Sequence, residues 1–362
     1  MNERLSALRR LLLERSLDAA LVSDPADVRY LSGFRGDEAL LVVGRRCAYV
    51  VADSRFWAQI AAEVTGFELV RSAGGAGLVS DALAAWTAAG DADESELRLG
   101  FQGDVVAYSS YRRLRRAFAG RLVNLGARVS ALRTVKDDDE LRVLRAAAAI
   151  ADAALETVVG QGLRGRTESD VAWAVEQALR AGGAEAVAFP TIVAAGPRGA
   201  LPHAIPGEAV VGDGDLVVID MGARLEGYHS DITRTFAVGR VRAEERAVYE
   251  IVLAAQLAGL SAVRDGVECR AVDAAARGVI DAAGYAESFG HGTGHGVGLE
   301  IHEQPRVNRD SRRRLAPGMV VTVEPGIYLE GRCGVRIEDT VVVTAGACER
   351  LTLFAKELRV VG

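Results

Sequence analysis

The chain contains 362 residues, of which 49% are hydrophobic and 25% are charged, a balance typical of globular proteins. This length predicts two domains. The 43 basic and 49 acidic residues give a net charge of −6, which argues against nucleic acid or an anionic membrane as a partner. No apolar stretch is long enough to span a membrane, and the charged N-terminal segment is unlike a signal peptide, so we expect a cytoplasmic protein.

The first 130 residues alternate between helical and strand patterns. The predicted elements are one helix followed by three strands, over 3–15, 19–23, 39–43 and 47–51. A helix, a strand and a second helix follow, so we assign residues 1–130 to an α/β domain around a mixed sheet. In the basic segment 111–121, Leu114, Ala117 and Phe118 share one helical face, which predicts that the arginines form a solvated surface.

The pattern changes near residue 131, and we place a second domain over 131–362. Acidic residues at 137–140 precede an Ala-rich run, which suits the positive end of a helix dipole. Thr167 and Asp170 resemble a capping box at the start of another helix, which ends at Gly182. The remaining predicted elements are one helix over 243–262 and five strands, over 187–194, 215–221, 228–238, 320–324 and 334–343.

Two aspartates lie on neighbouring strands of the second domain. The apolar run 216–219 ends in Asp220, and Asp231 follows a turn around Leu225 and Glu226. Antiparallel pairing about that turn predicts that the two aspartates lie directly opposite each other on one face. Such a pair destabilises a sheet unless a proton or a cation lies between the carboxylates. The alternative is that both side chains are exposed at strand ends.

A glycine-rich segment contains two histidines, and a third follows closely. Every second residue from 290 to 298 is glycine, which excludes a stable helix and lets the backbone approach an ion or ligand. His291 and His295 lie in this segment, and His302 ends a strand predicted over 299–302. A lone histidine is usually structural, but three within twelve positions indicate a site.

Two glutamates lie at or near further predicted strands. Glu324 ends one apolar strand, while Arg336 and Glu338 are two residues apart and so share a strand face, which predicts an ion pair. With the two aspartates and one histidine, the glutamates form an oxygen-rich set that suits divalent cations such as Mn²⁺. Two such ions can share bridging carboxylates and activate water. The residues therefore indicate a two-metal hydrolase.

Five of these residues, within their local sequences, resemble the metal ligands of the pita-bread metallopeptidases: Asp220, Asp231, His295, Glu324 and Glu338. This family includes methionine aminopeptidase, aminopeptidase P and prolidase. The resemblance implies an α+β fold with a C-terminal pita-bread domain, in which helices flank a curved antiparallel sheet, and a smaller N-terminal α/β creatinase-like domain. The segment DVRYLSGF at 27–34 is similar to that N-terminal domain in the aminopeptidase P and prolidase branch. Creatinase itself lacks the metal ligands.

The resemblance also implies a role for each ligand. Asp220 binds one metal ion, His295 and Glu324 bind the other, and Asp231 and Glu338 bridge the pair. Glu324 would also act as general base and then general acid, carrying a proton to the leaving nitrogen of proline. The expected ions are two Mn²⁺ per subunit, with Co²⁺ or Zn²⁺ as alternatives.

The same resemblance implies roles for residues around the substrate. His203 contacts the substrate, His291 lines the pocket for proline, and His302 donates a hydrogen bond to the tetrahedral gem-diolate. Arg336 is expected to orient the side chain of Glu338. His229 has no counterpart in the family, so we interpret it as structural.

The expected reaction is hydrolysis of the N-terminal Xaa-Pro bond of peptides. Aminopeptidase P acts on three or more residues, whereas prolidase acts on dipeptides. Arg306 suits a dipeptidase because it can bind the free carboxylate of proline, but it equally suits an exposed surface position. The chain has no evident insertion to cover the substrate, so the sequence favours the aminopeptidase. A catalytically inactive peptide-binding module is a further alternative, and the resemblance predicts a homodimer.

Overall fold

The chain divides into two compact units, Met1–Arg133 and Thr134–Gly362. The computed structural model describes residues 3–75, 77–90 and 97–362. Both units mix helices with sheets, which confirms the expected fold class. Among the described residues, no helix combines the length and hydrophobicity needed to cross a bilayer.

A mixed sheet forms the centre of the first unit. Its described strands are β1 Ala19–Val22, β2 Leu40–Gly44, β3 Ala48–Ala52, β4 Glu68–Arg71, β5 Arg98–Phe101 and β6 Arg121–Asn124. The described helices of this unit are α1 Glu3–Glu14, α2 Pro25–Ser32, α3 Trp57–Glu63, α4 Gly77–Ala88 and α5 Tyr108–Ala117. The spatial order is β4-β3-β2-β1-β5-β6, antiparallel among β1, β2 and β3 and parallel elsewhere. The predicted mixed sheet is confirmed.

The DVRYLSGF segment has a structural role in the first unit. Helix α2 begins after Asp24, whose side chain accepts a hydrogen bond from the Asp27 backbone, and it ends at Gly33, where φ is 82°. The buried Asp27 carboxylate accepts hydrogen bonds from Arg133 at 2.7 Å and from Gln102 at 2.6 Å. Burial outweighs these partners and raises the pKa of Asp27 to about 6. Asp27 therefore connects α2 to Gln102, which follows β5, and to Arg133, the last residue of the first unit.

Helix α5 is shorter than predicted. It ends at Ala117, which is exposed, instead of continuing to residue 121. Phe118 has already left the helical conformation, although its ring is buried and packs 5.9 Å from that of Trp86. Leu114 is the buried residue of the helix, and its arginines are exposed as expected.

The second unit has four α-helices in its described part, and the first two of them begin at predicted start signals. The four helices are α6 Asp138–Gly160, α7 Glu168–Ala181, α8 Ala243–Ala262 and α9 Cys269–Ala282. Asp137 and Glu140 form a capping box on α6, and Thr167 and Asp170 form the predicted one on α7. Helix α8 has the predicted bounds, whereas α9 was not predicted.

The strands of the second unit form largely antiparallel sheets. They are β7 Ala186–Val187, β8 Ile192–Ala195, β9 Leu216–Met221, β10 Ala223–Leu225, β11 Tyr228–His229, β12 Ile232–Val238, β13 Gly294–Gly296, β14 Glu303–Val307, β15 Val320–Val323, β16 Gly326–Leu329, β17 Cys333–Arg336, β18 Asp339–Val343, β19 Cys348–Arg350 and β20 Val360–Val361. One sheet has the order β20-β12-β9-β8 and another has the order β14-β13-β15-β18-β19. Helices α6 and α7 pack on the first of these sheets.

Several predicted strands are shorter or interrupted. The strand predicted over 187–194 splits into β7 and β8 around Pro190, which has no N–H for a sheet hydrogen bond. The strand predicted over 334–343 breaks between β17 and β18, and that over 228–238 breaks between β11 and β12. The prediction of a strand over 299–302 is wrong. This segment is a loop, in which the backbone N–H of Gly298 donates to the carbonyl of Glu300.

Candidate metal centre

The β9–β12 hairpin brings the two aspartates to one face. Asp220 lies opposite Thr233, so the prediction that it lies directly opposite Asp231 is wrong. The turn is centred one residue later than predicted, on Glu226 and Gly227, whose φ angles of 44° and 75° suit a type I′ turn. Asp231 precedes Thr233 by two residues, so the aspartates remain diagonal neighbours on the same face.

His295 and Glu324 meet where β13 pairs with β15. The His295 Nε2 atom lies 3.2 Å from Glu324 Oε1 and 3.6 Å from Asp231 Oδ2. The other ring nitrogen, Nδ1, lies 3.0 Å from the Gly296 carbonyl, so Nδ1 carries the proton and Nε2 is free to bind a metal. The Thr322 hydroxyl joins the two elements, because it accepts from the His295 backbone and donates to Glu324.

Asp220 and Glu338 each use one carboxylate oxygen within the protein. Arg336 Nη2 donates to Asp220 Oδ2 at 2.6 Å, and the Thr233 hydroxyl donates to Glu338 Oε2 at 2.7 Å. The remaining oxygens, Asp220 Oδ1 and Glu338 Oε1, are buried without a hydrogen-bond partner in the described part of the chain. Buried unpartnered carboxylate oxygens are costly, and a bound cation would satisfy them.

The charges and spacing of the acidic groups also fit divalent cations. Asp231, His295 and Glu338 each offer a ligand atom within 4.8 Å of the others. Burial raises the pKa of Asp220, Asp231 and Glu338, and neighbouring carboxylates raise each of them further. Burial also acts on Glu324, but its close contact with His295 outweighs burial, and the pKa of Glu324 is lowered to about 2. Cations between these carboxylates would relieve their repulsion.

Arg336 makes different contacts from those expected. It pairs with Asp220 and not with Glu338, because the chain leaves the strand between β17 and β18 and the two residues do not share a strand face. Arg336 reaches Glu338 through Thr233, whose hydroxyl accepts from Arg336 Nε at 3.1 Å. Arg336 Nη1 also donates to the Tyr328 hydroxyl at 2.9 Å. The arginine therefore acts on Glu338 only indirectly in this structure.

Tyr328 connects Arg336 to His291. The Tyr328 hydroxyl lies 2.9 Å from His291 Nε2, while His291 Nδ1 lies 2.8 Å from the Gly292 carbonyl. Burial lowers the pKa of His291, so the ring is neutral near pH 7. Sequence reasoning missed both Thr233 and Tyr328, since single hydroxyl-bearing residues in strands carry no distinctive signal.

Helix α9 anchors the glycine-rich segment. Arg277 donates to the Phe289 and His291 carbonyls, and it forms a buried ion pair with Asp273 at 2.9 Å. The Asp273 carboxylate also accepts from the Thr293 backbone and hydroxyl. These contacts place His291 next to the cavity. Sequence reasoning missed them because α9 itself was not predicted.

The ten residues proposed from sequence line one cavity of about 690 Å³. They are His203, Asp220, Asp231, His291, His295, His302, Arg306, Glu324, Arg336 and Glu338. Apolar side chains complete part of the wall, including Phe189, Pro190, Ile192, Pro202 and Ile205. The arrangement combines a carboxylate-rich floor with an apolar pocket, and the individual role of each residue stays a prediction.

The remaining histidines and Arg306 differ in their surroundings. The rings of His302 and His295 lie 4.4 Å apart, and burial, together with the neighbouring His295 and Arg306 side chains, lowers the pKa of His302. His203 and Arg306 are exposed, and Arg306 lies opposite His295 in the β13–β14 register. His229 does not line the cavity, and its backbone N–H donates to the Gly298 carbonyl at 2.8 Å.

The chain is similar to known peptidases along almost its whole length. Residues 142–345 match metallopeptidase family M24, and residues 4–135 match the creatinase/prolidase N-terminal domain. An Xaa-Pro dipeptidase from Pyrococcus furiosus is 35% identical over 361 residues, which cover 99% of this chain and 100% of the relative.

Solved structures extend this similarity to the fold. An Xaa-Pro dipeptidase from Bacillus anthracis has a TM-score of 0.94 and 38% identity, and the match covers 99% of both chains. An X-Pro aminopeptidase from Thermotoga maritima has a TM-score of 0.89 and 36% identity, again over 99% of both chains. These matches bear out the resemblance inferred from sequence. The chain therefore belongs to metallopeptidase family M24 and has a creatinase/prolidase N-terminal domain.

Proposed function

We propose that the protein is a metal-dependent Xaa-Pro dipeptidase. The observation that carries this proposal is the exposed guanidinium of Arg306, which lines the cavity and has no hydrogen-bond or ion-pair partner among the described residues. A guanidinium binds a carboxylate through two parallel hydrogen bonds, and a dipeptide presents the free carboxylate of proline close to the scissile bond. Relatives named Xaa-Pro dipeptidase support this substrate class.

The proposed cofactor is a pair of divalent ions, of which Mn²⁺ is the first choice and Co²⁺ and Zn²⁺ are alternatives. The residues that would hold the ions are Asp220, Asp231, His295, Glu324 and Glu338. Bound ions of this kind lower the pKa of water and polarise the scissile carbonyl. The unpartnered buried oxygens of Asp220 and Glu338 support this assignment.

Glu324 is the proposed proton carrier. Its low pKa keeps the carboxylate ionised, so it can accept a proton from the attacking water. The water oxygen bonds to the carbonyl carbon, and Glu324 delivers the proton to the proline nitrogen as the C–N bond breaks. Without this proton the proline nitrogen would have to leave as an amide anion, which is a very poor leaving group.

Three histidines are proposed to contact the substrate. His302 is neutral near pH 7 and lies beside His295, so it can donate a hydrogen bond to the carbonyl oxygen as that oxygen gains negative charge. His291, oriented by Tyr328, is proposed to line the proline pocket. His203, exposed at the cavity wall, is proposed to contact the substrate directly.

Aminopeptidase P activity is the second candidate function. The similarity to an X-Pro aminopeptidase over 99% of both chains favours it, as does the absence of an evident covering insertion in the sequence. An inactive peptide-binding module is the remaining alternative, and it predicts peptide binding without turnover.

The deciding experiment compares kcat/KM for an Xaa-Pro dipeptide and for a tripeptide with the same first two residues, with Mn²⁺ and with chelator. A dipeptidase cleaves the dipeptide, and Arg306→Met lowers its kcat/KM about 10- to 150-fold, because a charged hydrogen bond contributes about 1.5 to 3 kcal/mol. The control Arg312→Met removes an exposed arginine outside the cavity and leaves kcat/KM unchanged. Preferential tripeptide cleavage would establish the aminopeptidase instead.

We further infer that the protein is a homodimer and acts in the cytoplasm. Both statements rest on the family resemblance. Sedimentation velocity at micromolar concentration tests the first, and a purely monomeric profile would refute it.

A further inference from the structure

A buried ion pair lies behind the loop that carries His302. Lys136 Nζ is 3.0 Å from Glu303 Oε2, and the two side chains are only 1% and 4% exposed. Neither residue lines the cavity, so the pair does not contact a substrate there. Removing two charges from water costs free energy that an apolar pair would not cost. The pair therefore needs an explanation other than stability.

The Glu303 carboxylate closes the loop 297–302. Its Oε1 accepts a hydrogen bond from the Glu300 backbone at 3.2 Å. A Cβ atom at Gly298 would lie 2.7 Å from both carboxylate oxygens, so glycine at this position is what admits the carboxylate. The Gly298 carbonyl in turn accepts from the His229 backbone at 2.8 Å. The loop is thus held at its first residues by β11 and at its end by Glu303.

Lys136 holds the carboxylate from a fixed position. Its backbone N–H donates to the Gly318 carbonyl at 2.9 Å, and its Nζ also contacts the Thr134 carbonyl at 3.4 Å. Glu303 pairs with Gly296 in the β13–β14 register. A shift of the carboxylate would therefore displace the end of loop 297–302, where it leads into β14.

We propose that Lys136 and Glu303 are a positioning pair, which fixes loop 297–302 and so sets the ring of His302 against His295. The inference rests on the proposed role of His302 in hydrolysis. His302 is the residue directly before Glu303, and its ring is 4.4 Å from that of His295. The metal ligand His295 has its own contacts to Thr322 and Gly296, so loss of the pair moves His302 and leaves the ligands in place.

The test replaces both partners with neutral side chains of similar length, because removing one would leave a buried charge without a partner. The variant Lys136→Met/Glu303→Gln is compared with wild type, alone and combined with His302→Gln. We expect kcat for the Xaa-Pro substrate to fall about 10-fold or more in the wild-type background and less than about 2-fold in the His302→Gln background. KM and the amount of bound Mn²⁺ should stay unchanged.

An exposed ion pair provides the matched control. Arg145 and Glu349 are 46% and 48% exposed, and Arg145→Met/Glu349→Gln should leave kcat unchanged. An equal loss of kcat from the Lys136/Glu303 variant in both His302 backgrounds would overturn the proposal, because the pair would then act on the fold in general.

Hydrogen exchange separates this inference from the proposed function. In the Lys136/Glu303 variant, peptides covering 297–303 should exchange faster, while those covering β15 and β18 exchange at the wild-type rate. Unchanged exchange at 297–303 would overturn the positioning role even in an active enzyme. If wild type cleaves no Xaa-Pro peptide, the proposed function fails, whereas faster exchange confined to 297–303 still supports the positioning pair.

Discussion

Replacing Thr233 by valine tests whether one hydroxyl prepares the metal centre. Thr233 is 0% exposed, and its hydroxyl donates to Glu338 Oε2 at 2.7 Å and accepts from Arg336 Nε at 3.1 Å. Valine has nearly the same shape, so Thr233→Val removes both hydrogen bonds without opening a cavity. In this variant Glu338 Oε2 loses its hydrogen-bond donor and Arg336 Nε loses its acceptor, both in the interior of the protein.

The expected size of the effect follows from these contacts. A hydrogen bond to a charged group contributes about 1.5 to 3 kcal/mol, and since one hydroxyl makes both bonds we expect the free energy of unfolding of the metal-free protein to fall by about 3 kcal/mol. A partner that orients a metal ligand typically changes metal affinity about 10- to 100-fold, so the Kd for Mn²⁺ should rise by that factor.

The assay is calorimetric titration with Mn²⁺, alongside urea unfolding of the metal-free protein. Thr235→Val is the matched control, because Thr235 is buried on the same strand but exchanges hydrogen bonds with the backbone of Arg336 and has none to a carboxylate among the described residues. It should lower stability without changing the Kd. A Kd for Mn²⁺ within about 2-fold of wild type in Thr233→Val would refute the reasoning, as would an equal change in both variants.

Three further changes test the centre and the first unit. Asp231→Ala should abolish both Mn²⁺ binding and peptide turnover, measured by metal analysis and kcat, and full turnover would disprove the site assignment. Gly294→Ala would place a Cβ atom 2.0 Å from the Thr322 carbonyl, so it should separate β13 from β15 and lower stability by more than about 2 kcal/mol on thermal unfolding. Asp27 has its pKa raised to about 6 in the folded state, so its ionisation opposes folding, and its contribution to stability, fully present below about pH 3, is lost as the pH rises through about 6. Between about pH 3 and pH 7 wild type should lose about 3 kcal/mol of stability relative to Asp27→Asn, and an equal pH dependence of stability in the two proteins would contradict the assignment.

Patterns that act within a few residues predicted the local structure well. The capping box of α7 depends on side chains three residues apart and is present where expected, and the acidic residues at 137–140 begin α6 as predicted. The ligand candidates were likewise found from short motifs at strand ends, and the structure brings them into one cavity. Helix α9 was missed because its apolar residues are spaced among alanines and charged residues, while Asp273 and Arg277, which look like an exposed pair, are buried.

Register and long-range pairing could not be read from the sequence. Glu226 adopts a positive φ next to Gly227, and this choice of turn shifts the hairpin partner of Asp220 from Asp231 to Thr233. The pairing of Arg336 with Asp220 depends on a break between two strands that the sequence pattern predicted as one continuous strand. Such features are decided by tertiary packing, which local spacing does not encode.

The sequence distance across the metal centre has a consequence for biosynthesis. Asp220 and Arg336, which form an ion pair in the centre, are 116 residues apart, and Thr233 and Glu338 are 105 apart. A nascent chain therefore cannot assemble this cavity until residue 338 has left the ribosome, whereas the first unit can fold well before that. Under the proposed ligand set, chains truncated before this point lack Glu338 and would not retain the ions, so metal content would report the fraction of chains translated past the last proposed ligand.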